Sequence, residues 1–155
     1  MSFSPKLIIG LGNPDKKYEN TYHNVGHLFV DYLAGEALKS DEFMNESGKY
    51  VAKAVKKFGV KPEELLVVHD DSDIEIGKYK LTPPGHGSAG HHGIESIEQH
   101  LKTNNFWRLR IGIRPKQKEG EERMKALDFV LKKISLENKK ILETVFEEAK
   151  KELAK

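Results

Sequence analysis

Between Leu7 and His27 the chain reads LIIGLGNPDKKYENTYHNVGH, so that Asn13, Tyr18, Tyr22, His23, Asn24 and His27 crowd behind one short apolar run. An imidazole is the side chain best suited to take a proton near neutral pH, provided that a carboxylate holds its other ring nitrogen. A candidate carboxylate is Asp70, which follows a second apolar run, LLVVH at Leu65–His69. Asn13 adds a carboxamide, which can both donate and accept a hydrogen bond. If the sheet brings them together, Asp70 can hold one nitrogen of His23 and leave the other as base, with Asn13 offering its carboxamide to a substrate. A lone His before a helix is more commonly a surface residue or a cap, so this chemistry depends on the fold bringing His23 to Asp70.

Other clusters carry weaker signals. GLGN at Gly10–Asn13 lacks the third glycine of a dinucleotide fingerprint and the lysine of a P-loop, and reads as a tight strand-to-helix turn. DDSDIE at Asp70–Glu75 could hold Mg²⁺, but no phosphate motif accompanies it, and a polar strand exit is the simpler reading. HGSAGHHG at His86–Gly93 offers three His to zinc without the H-E-x-x-H spacing, and reads better as a glycine-rich substrate loop. Its Ser88 does not sit in a G-x-S-x-G elbow. In FWRLRIG, Trp107 is expected in or beside the core, and Arg108 and Arg110 share a strand face that could meet phosphate.

The elements that must position these groups follow from periodicity. Lys6–Leu11 and Leu65–His69 read as buried strands, and Phe106–Ile113 as an alternating one. Lys78–Leu81 is a further short strand. A helix is expected from Val25, capped by Asn24, with Val25, Leu28, Phe29, Tyr32 and Leu33 on one face. A second spans Ser47–Phe58, with Val51, Ala54, Val55 and Phe58 inward and Gly59 as its stop. Gly93–Leu101 is a third, and the tail from Glu121 reads as two helical pieces broken near Ser135, which caps the second. Strands alternating with helices give an α/β fold: one domain over residues 1–155, with a mixed, largely parallel sheet flanked by helices. Such sheets place ligands outside the carboxyl ends of their strands, where three of the polar clusters fall.

Bulk composition narrows the field. The chain has 155 residues, with 37% hydrophobic and 32% charged, which suits one globular core. The absence of Cys excludes a thiolate nucleophile and Cys-ligated zinc, and with the lack of a secretory pattern in MSFSPKL it suggests a cytoplasmic setting. No apolar run is long enough to span a membrane as a helix. A net charge of +2 neither requires nor excludes a nucleic-acid partner, because placement of Lys and Arg matters more than their sum.

Read together, five segments resemble the bacterial-type peptidyl-tRNA hydrolases, in order from Lys6 to about Leu131. IIGLGNPDKKYENTYHNVGH resembles the family's G-L-G-N-P-G-x-x-Y-x-x-T-R-H-N-x-G, and FMNESG its F-M-N-x-S-G. ELLVVHDDSDIEIGKYKL resembles its strand ending in H-D-D/E-x-D, GSAGHHGIESI its G-S-A-G-G-H-N-G-L-K-S-I, and FWRLRIGIRP its F-x-R-L-R-I-G-I-G-x-P. The resemblance implies an enzyme that cleaves the ester between a peptide and the 3′ ribose of tRNA, as a monomer, with neither metal nor cofactor. By the same resemblance His23 falls on the catalytic base, Asp70 on the carboxylate that orients it, and Asn13 and Asn45 on the amides that hold the peptide end and the water or carbonyl. Tyr18 falls on a tyrosine near the tRNA 3′ end, and Lys80 and Arg110 are the nearest candidates for the clamp on tRNA phosphate.

The chain departs from the family pattern both in particular residues and in length. Tyr22 stands where Arg is usual, His92 stands where a substrate-gripping Asn is usual, and the loop before it has one glycine fewer. The connection from Ala34 to Phe43 is much shorter than usual, and the usual C-terminal helix over the cleft is not expected. These departures keep two alternatives open: an RNA- or ribosome-binding protein on the same fold with little hydrolysis, and a hydrolase of another ester or amide.

Overall fold

In the computed structural model, which describes residues 3–35, 37–117 and 119–154, five strands form one sheet in the order β2-β1-β3-β5-β4. The strands are β1 (Leu7–Gly10), β2 (Leu38–Lys39), β3 (Leu65–Glu75), β4 (Tyr79–Thr82) and β5 (Trp107–Arg114). The helices are α1 (Val25–Leu33), α2 (Ser47–Phe58), α3 (His92–Leu101) and α4 (Leu136–Leu153). β2, β1, β3 and β5 run parallel, and β4 returns antiparallel on β5. The expected α/β sheet flanked by helices is present. None of its helices is long and apolar enough to cross a membrane.

Side chains of β1 and β3 alternate between two cores, as the pleat requires, whereas β5 gives its apolar side chains to one of them. On one face Leu66, Val68, Leu109 and Ile111 pack under Val25 and Phe29 of α1 and Leu142 and Phe146 of α4. On the other, Leu7, Ile9, Leu65 and Val67 pack under Val51 and Ala54 of α2 and Ile94 and Ile97 of α3. Burial on both faces explains why β1 and the first part of β3 read as continuous apolar runs, while β5 alternates Leu109, Ile111 and Ile113 with Arg108, Arg110 and Gly112. The fit is tight where α1 crosses β1: a Cβ on Gly26 would lie 2.5 Å from the carbonyl oxygens of both Leu11 and Val68.

Two helix ends follow local chemistry plainly, and one instructive end does not. Gly59, at φ 64°, stops α2 in the left-handed conformation that costs glycine least. Ser135 caps α4 by accepting from the Asn138 amide at 3.1 Å. Asn24 makes no side-chain cap on α1. Its carboxamide is taken instead by the main chain of Asn13, whose N–H donates to Oδ1 and whose carbonyl accepts from Nδ2, both at 2.9 Å. Phe58, expected inward, is 52% exposed at the last position of α2, with the Lys57 ammonium over its ring.

Three segments differ from the sequence reading. β3 runs on through DDSDIE to Glu75, with a register shift against β5 after Asp71. The short Ala34–Phe43 connection contains β2, which pairs with Ile9 and Gly10 and supplies the sheet's edge. The first half of the tail has no α-helix; beyond a 3₁₀ turn at Ala126–Asp128 it lies as a strap along the segment holding His23. His23 N–H donates to Val130 O at 2.7 Å, Tyr22 N–H to Lys132 O at 3.2 Å, and Ile134 N–H to Asn20 O at 2.7 Å. The C-terminal helix α4 packs against α1 rather than lining the cleft, with the Phe29 and Phe146 rings edge to face at 5.5 Å.

Candidate active site

His23 sits in a 3₁₀ turn, Tyr22–Asn24, that leads directly into α1. Asp70 is on β3 beside Ile111 of β5. The sheet brings the two together: His23 Nδ1–H donates to Asp70 Oδ2 at 2.7 Å, with 20% of the His side chain and 3% of the Asp side chain exposed. Nε2 of His23 is thereby left as the basic nitrogen. Burial opposes the His23 cation, but the charge of Asp70 and the hydrogen bond to it outweigh burial and raise the imidazole pKa above its ordinary value. Burial also opposes the Asp70 anion, and the two imidazoles that hydrogen-bond to it hold its carboxyl far below the usual carboxylate range.

The second imidazole is His91, from the glycine-rich loop. His91 Nε2–H donates to Asp70 Oδ1 at 2.9 Å, so each carboxylate oxygen has its own imidazole. The loop that delivers it turns at Ser88–His91, where Ala89 (φ 51°) and Gly90 (φ 85°) are both left-handed and His91 N–H donates to Ser88 O at 3.1 Å. Arg108 holds the same loop from below through a 2.8 Å bond to Gly87 O. Arg108 is buried and does not share an exposed face with Arg110 as expected. His69 is buried beneath His91 with the ring centroids 4.6 Å apart, and its Nδ1–H donates to Asp70 O at 2.7 Å. Burial, followed by the neighbouring His91 and Arg108, holds His69 well below its ordinary pKa, so it is neutral.

By distance alone His23, Asp70 and His91 resemble a metal-binding trio. Their protons argue otherwise. Ile94 N–H donates to His91 Nδ1 at 3.2 Å, which leaves the ring proton on Nε2, the nitrogen that a metal would need. Asp71 and Asp73 of DDSDIE are also committed: Asp71 accepts from Arg110 Nε and the Asp73 amide, both at 2.8 Å, and Asp73 pairs with Arg123.

His23, Asp70 and His91 open onto a cleft of about 180 Å³ walled by the Asp71–Asp73 strand, the Ser88–His92 loop and the strap at Ala126, Leu127 and Val130. His92 is exposed on this wall at the first position of α3. Leu127, 90% exposed, forms an apolar lip. Asn13 faces a neighbouring cavity of about 360 Å³ with His27 and Ser40, and its Oδ1 accepts from the Met44 amide at 2.7 Å. That bond ties the Asn13 loop to the 3₁₀ turn Met44–Glu46, where Asn45 is exposed, and the rings of Tyr18 and Phe43 join the same two segments edge to face at 6.4 Å. Lys80 and Arg110 are opposite one another in the β4–β5 ladder, with Lys80 exposed and Arg110 bonded to Asp71. Tyr22 is buried away from His23's partners, and its hydroxyl accepts from Asn138 Nδ2 of α4 at 2.8 Å.

An imidazole oriented by a buried carboxylate, in a cleft at the carboxyl ends of parallel strands, defines an α/β protein equipped to move a proton at a bound polar group. The family model for peptidyl-tRNA hydrolase matches residues 7–38 and 36–155. The chain belongs to the peptidyl-tRNA hydrolase family. It is 40% identical to the peptidyl-tRNA hydrolase of Lactobacillus gasseri, over 92% of this chain and 87% of that protein. It is 38% identical to that of Aquifex aeolicus, over 93% and 85%. The crystal structure of the Acinetobacter baumannii enzyme superposes with a TM-score of 0.82 at 29% identity, covering 96% of this chain and 86% of the other. The two matched segments meet at the short connection containing β2, where the chain departs from the family in length.

Proposed function

We propose that this chain hydrolyses the ester joining peptide to tRNA in peptidyl-tRNA, with His23 as general base. The observation that carries the reading is the 2.7 Å bond from His23 Nδ1 to a buried Asp70 in a chain of this family. Nε2 of His23 takes a proton from water as the water attacks the ester carbonyl, and Asp70 stabilises the imidazolium that forms. The same proton is then available to the departing ribose oxygen. Asn13, Asn45 and His92 supply hydrogen bonds to the carbonyl and peptide end as charge develops there. Tyr18 borders the tRNA 3′ end, and Lys80 with Arg110 meets acceptor-stem phosphate. The protein works as a cytoplasmic monomer without metal or cofactor.

The test is cleavage of purified peptidyl-tRNA by the wild-type protein and by His23→Ala, with tRNA binding measured alongside. Cleavage by the wild type that is lost in a folded, tRNA-binding variant supports the reading. A folded wild-type protein that binds tRNA without cleaving it would favour the RNA-binding alternative.

A further inference from the structure

Asp70 is held by two imidazoles, and the base mechanism uses only one of them. The other is fixed by a helix. His91 is the N-cap of α3, and its side chain accepts from Ile94 N–H. A backbone amide has a proton to give and nothing to accept with, so the nitrogen facing it must be bare. The proton of His91 is therefore on Nε2, which lies 2.9 Å from Asp70 Oδ1. With Oδ1 held from the α3 side and Oδ2 bonded to His23, the carboxylate plane has no freedom to rotate.

We propose that His91 is a positioning residue for the hydrolytic reaction, its tautomer set by the N-terminal cap of α3 so that it steers the second oxygen of Asp70 onto His23. The inference rests on the general-base reading above. The titratable and charged groups that surround His91 fit this role. From β3 come Asp70, with Asp71 and Asp73 further along the cleft, and His69, whose ring donates to the Asp70 carbonyl. From β5 comes Arg108, committed to the Gly87 carbonyl; from the 3₁₀ turn comes His23, its ring centroid 5.9 Å away, and from α3 itself comes His92. A neutral N–H on Oδ1 withdraws charge from the carboxylate and moderates its pull on the His23 proton.

Two measurements test this. Nitrogen-15 spectra of the imidazoles in the unaltered protein at neutral pH should show His91 with a bare Nδ1 and a protonated Nε2. The reverse tautomer would overturn the proposal, whether or not the protein cleaves peptidyl-tRNA. Absence of cleavage would instead defeat the function proposed above and leave the tautomer result standing. The second measurement is the kinetics of His91→Asn, which keeps an acceptor for Ile94 but is too short to reach Asp70. It should lower kcat about tenfold, the scale of a lost hydrogen bond to a charged group, with KM unchanged. The acid limb of its kcat/KM profile should move to higher pH, because the carboxylate now holds the His23 proton more strongly. His91→Gln, with an N–H at longer reach, should recover part of kcat. A folded His91→Asn protein with wild-type kcat and an unmoved acid limb would overturn the assignment.

Discussion

At the scale of the residue, the site depends on where protons sit. His23→Ala should lower kcat by about 10³-fold while tRNA binding persists, measured by single-turnover cleavage and filter binding. Because the His23 pKa is raised above 6.5, kcat/KM should climb with pH through an apparent value above 6.5 as Nε2 becomes free. The same shift governs stability with the opposite sense. The folded state holds the His23 proton more tightly than the unfolded chain does, so this contribution is complete below pH 6.5 and disappears as pH rises through the folded value. Asp70, held low, contributes stability above the ordinary carboxylate range that is lost only in strong acid. Thermal melts of wild type and His23→Ala from pH 5 to 9, compared with each other, would isolate the His23 part.

Several residue-level features were legible before any coordinates. His23 and Asp70 each follow an apolar run, and parallel strands deliver such ends to one edge of the sheet. His91 was not legible in the same way, because His91 and His92 are adjacent and identical in type. Which of them turns inward is decided by the left-handed pair Ala89–Gly90 and by the start of α3. Asn24 misled for a related reason. A side chain suited to capping was claimed by the nearer, buried main chain of Asn13, where an unmet polar group would cost more than a frayed helix end.

At the scale of the element, close approach sets the tolerances. Gly26→Ala would force a Cβ against two backbone carbonyls, and should cost about 3 kcal/mol in a urea titration. Tyr22 gives α4 its seat, since the hydroxyl takes the Asn138 amide at the first turn of the helix. Asn138→Ala should therefore cost about 1 kcal/mol in the same assay. Its effect on kcat should be small, because Tyr22 faces α4 and not the cleft. Periodicity revealed the helices and the doubly buried strands, but not the continuation of β3. DDSDIE reads as an exit because four of its six residues are acids, yet Asp70 and Asp71 stay buried through the partners His23, His91 and Arg110. Two-residue β2 is too short to carry a pattern, and the strap before α4 is held by main-chain bonds, by Phe129 in the core and by Lys133 on the carbonyls of Lys17 and Glu19, contacts that follow no helix or strand period.

At the scale of the whole molecule, 26 basic and 24 acidic residues nearly cancel, so attraction to RNA must come from local placement. If Lys80 meets phosphate, tRNA affinity should fall steeply with salt, and Lys80→Ala should flatten the log–log salt slope by about one. An unchanged slope would move the contact elsewhere on the surface. Arg110, engaged with Asp71, should give a smaller change in slope and a larger loss of stability when replaced.

The strap across His23 also bears on how the protein is made. The turn bearing the base is emitted from the ribosome early, but its backbone is held by Val130 and Lys132, which follow more than a hundred residues later. A nascent chain that has exposed both His23 and Asp70 still lacks one wall of its cleft. Competence to act should thus arrive late and abruptly in synthesis, only after the strap has cleared the exit tunnel and closed over the turn.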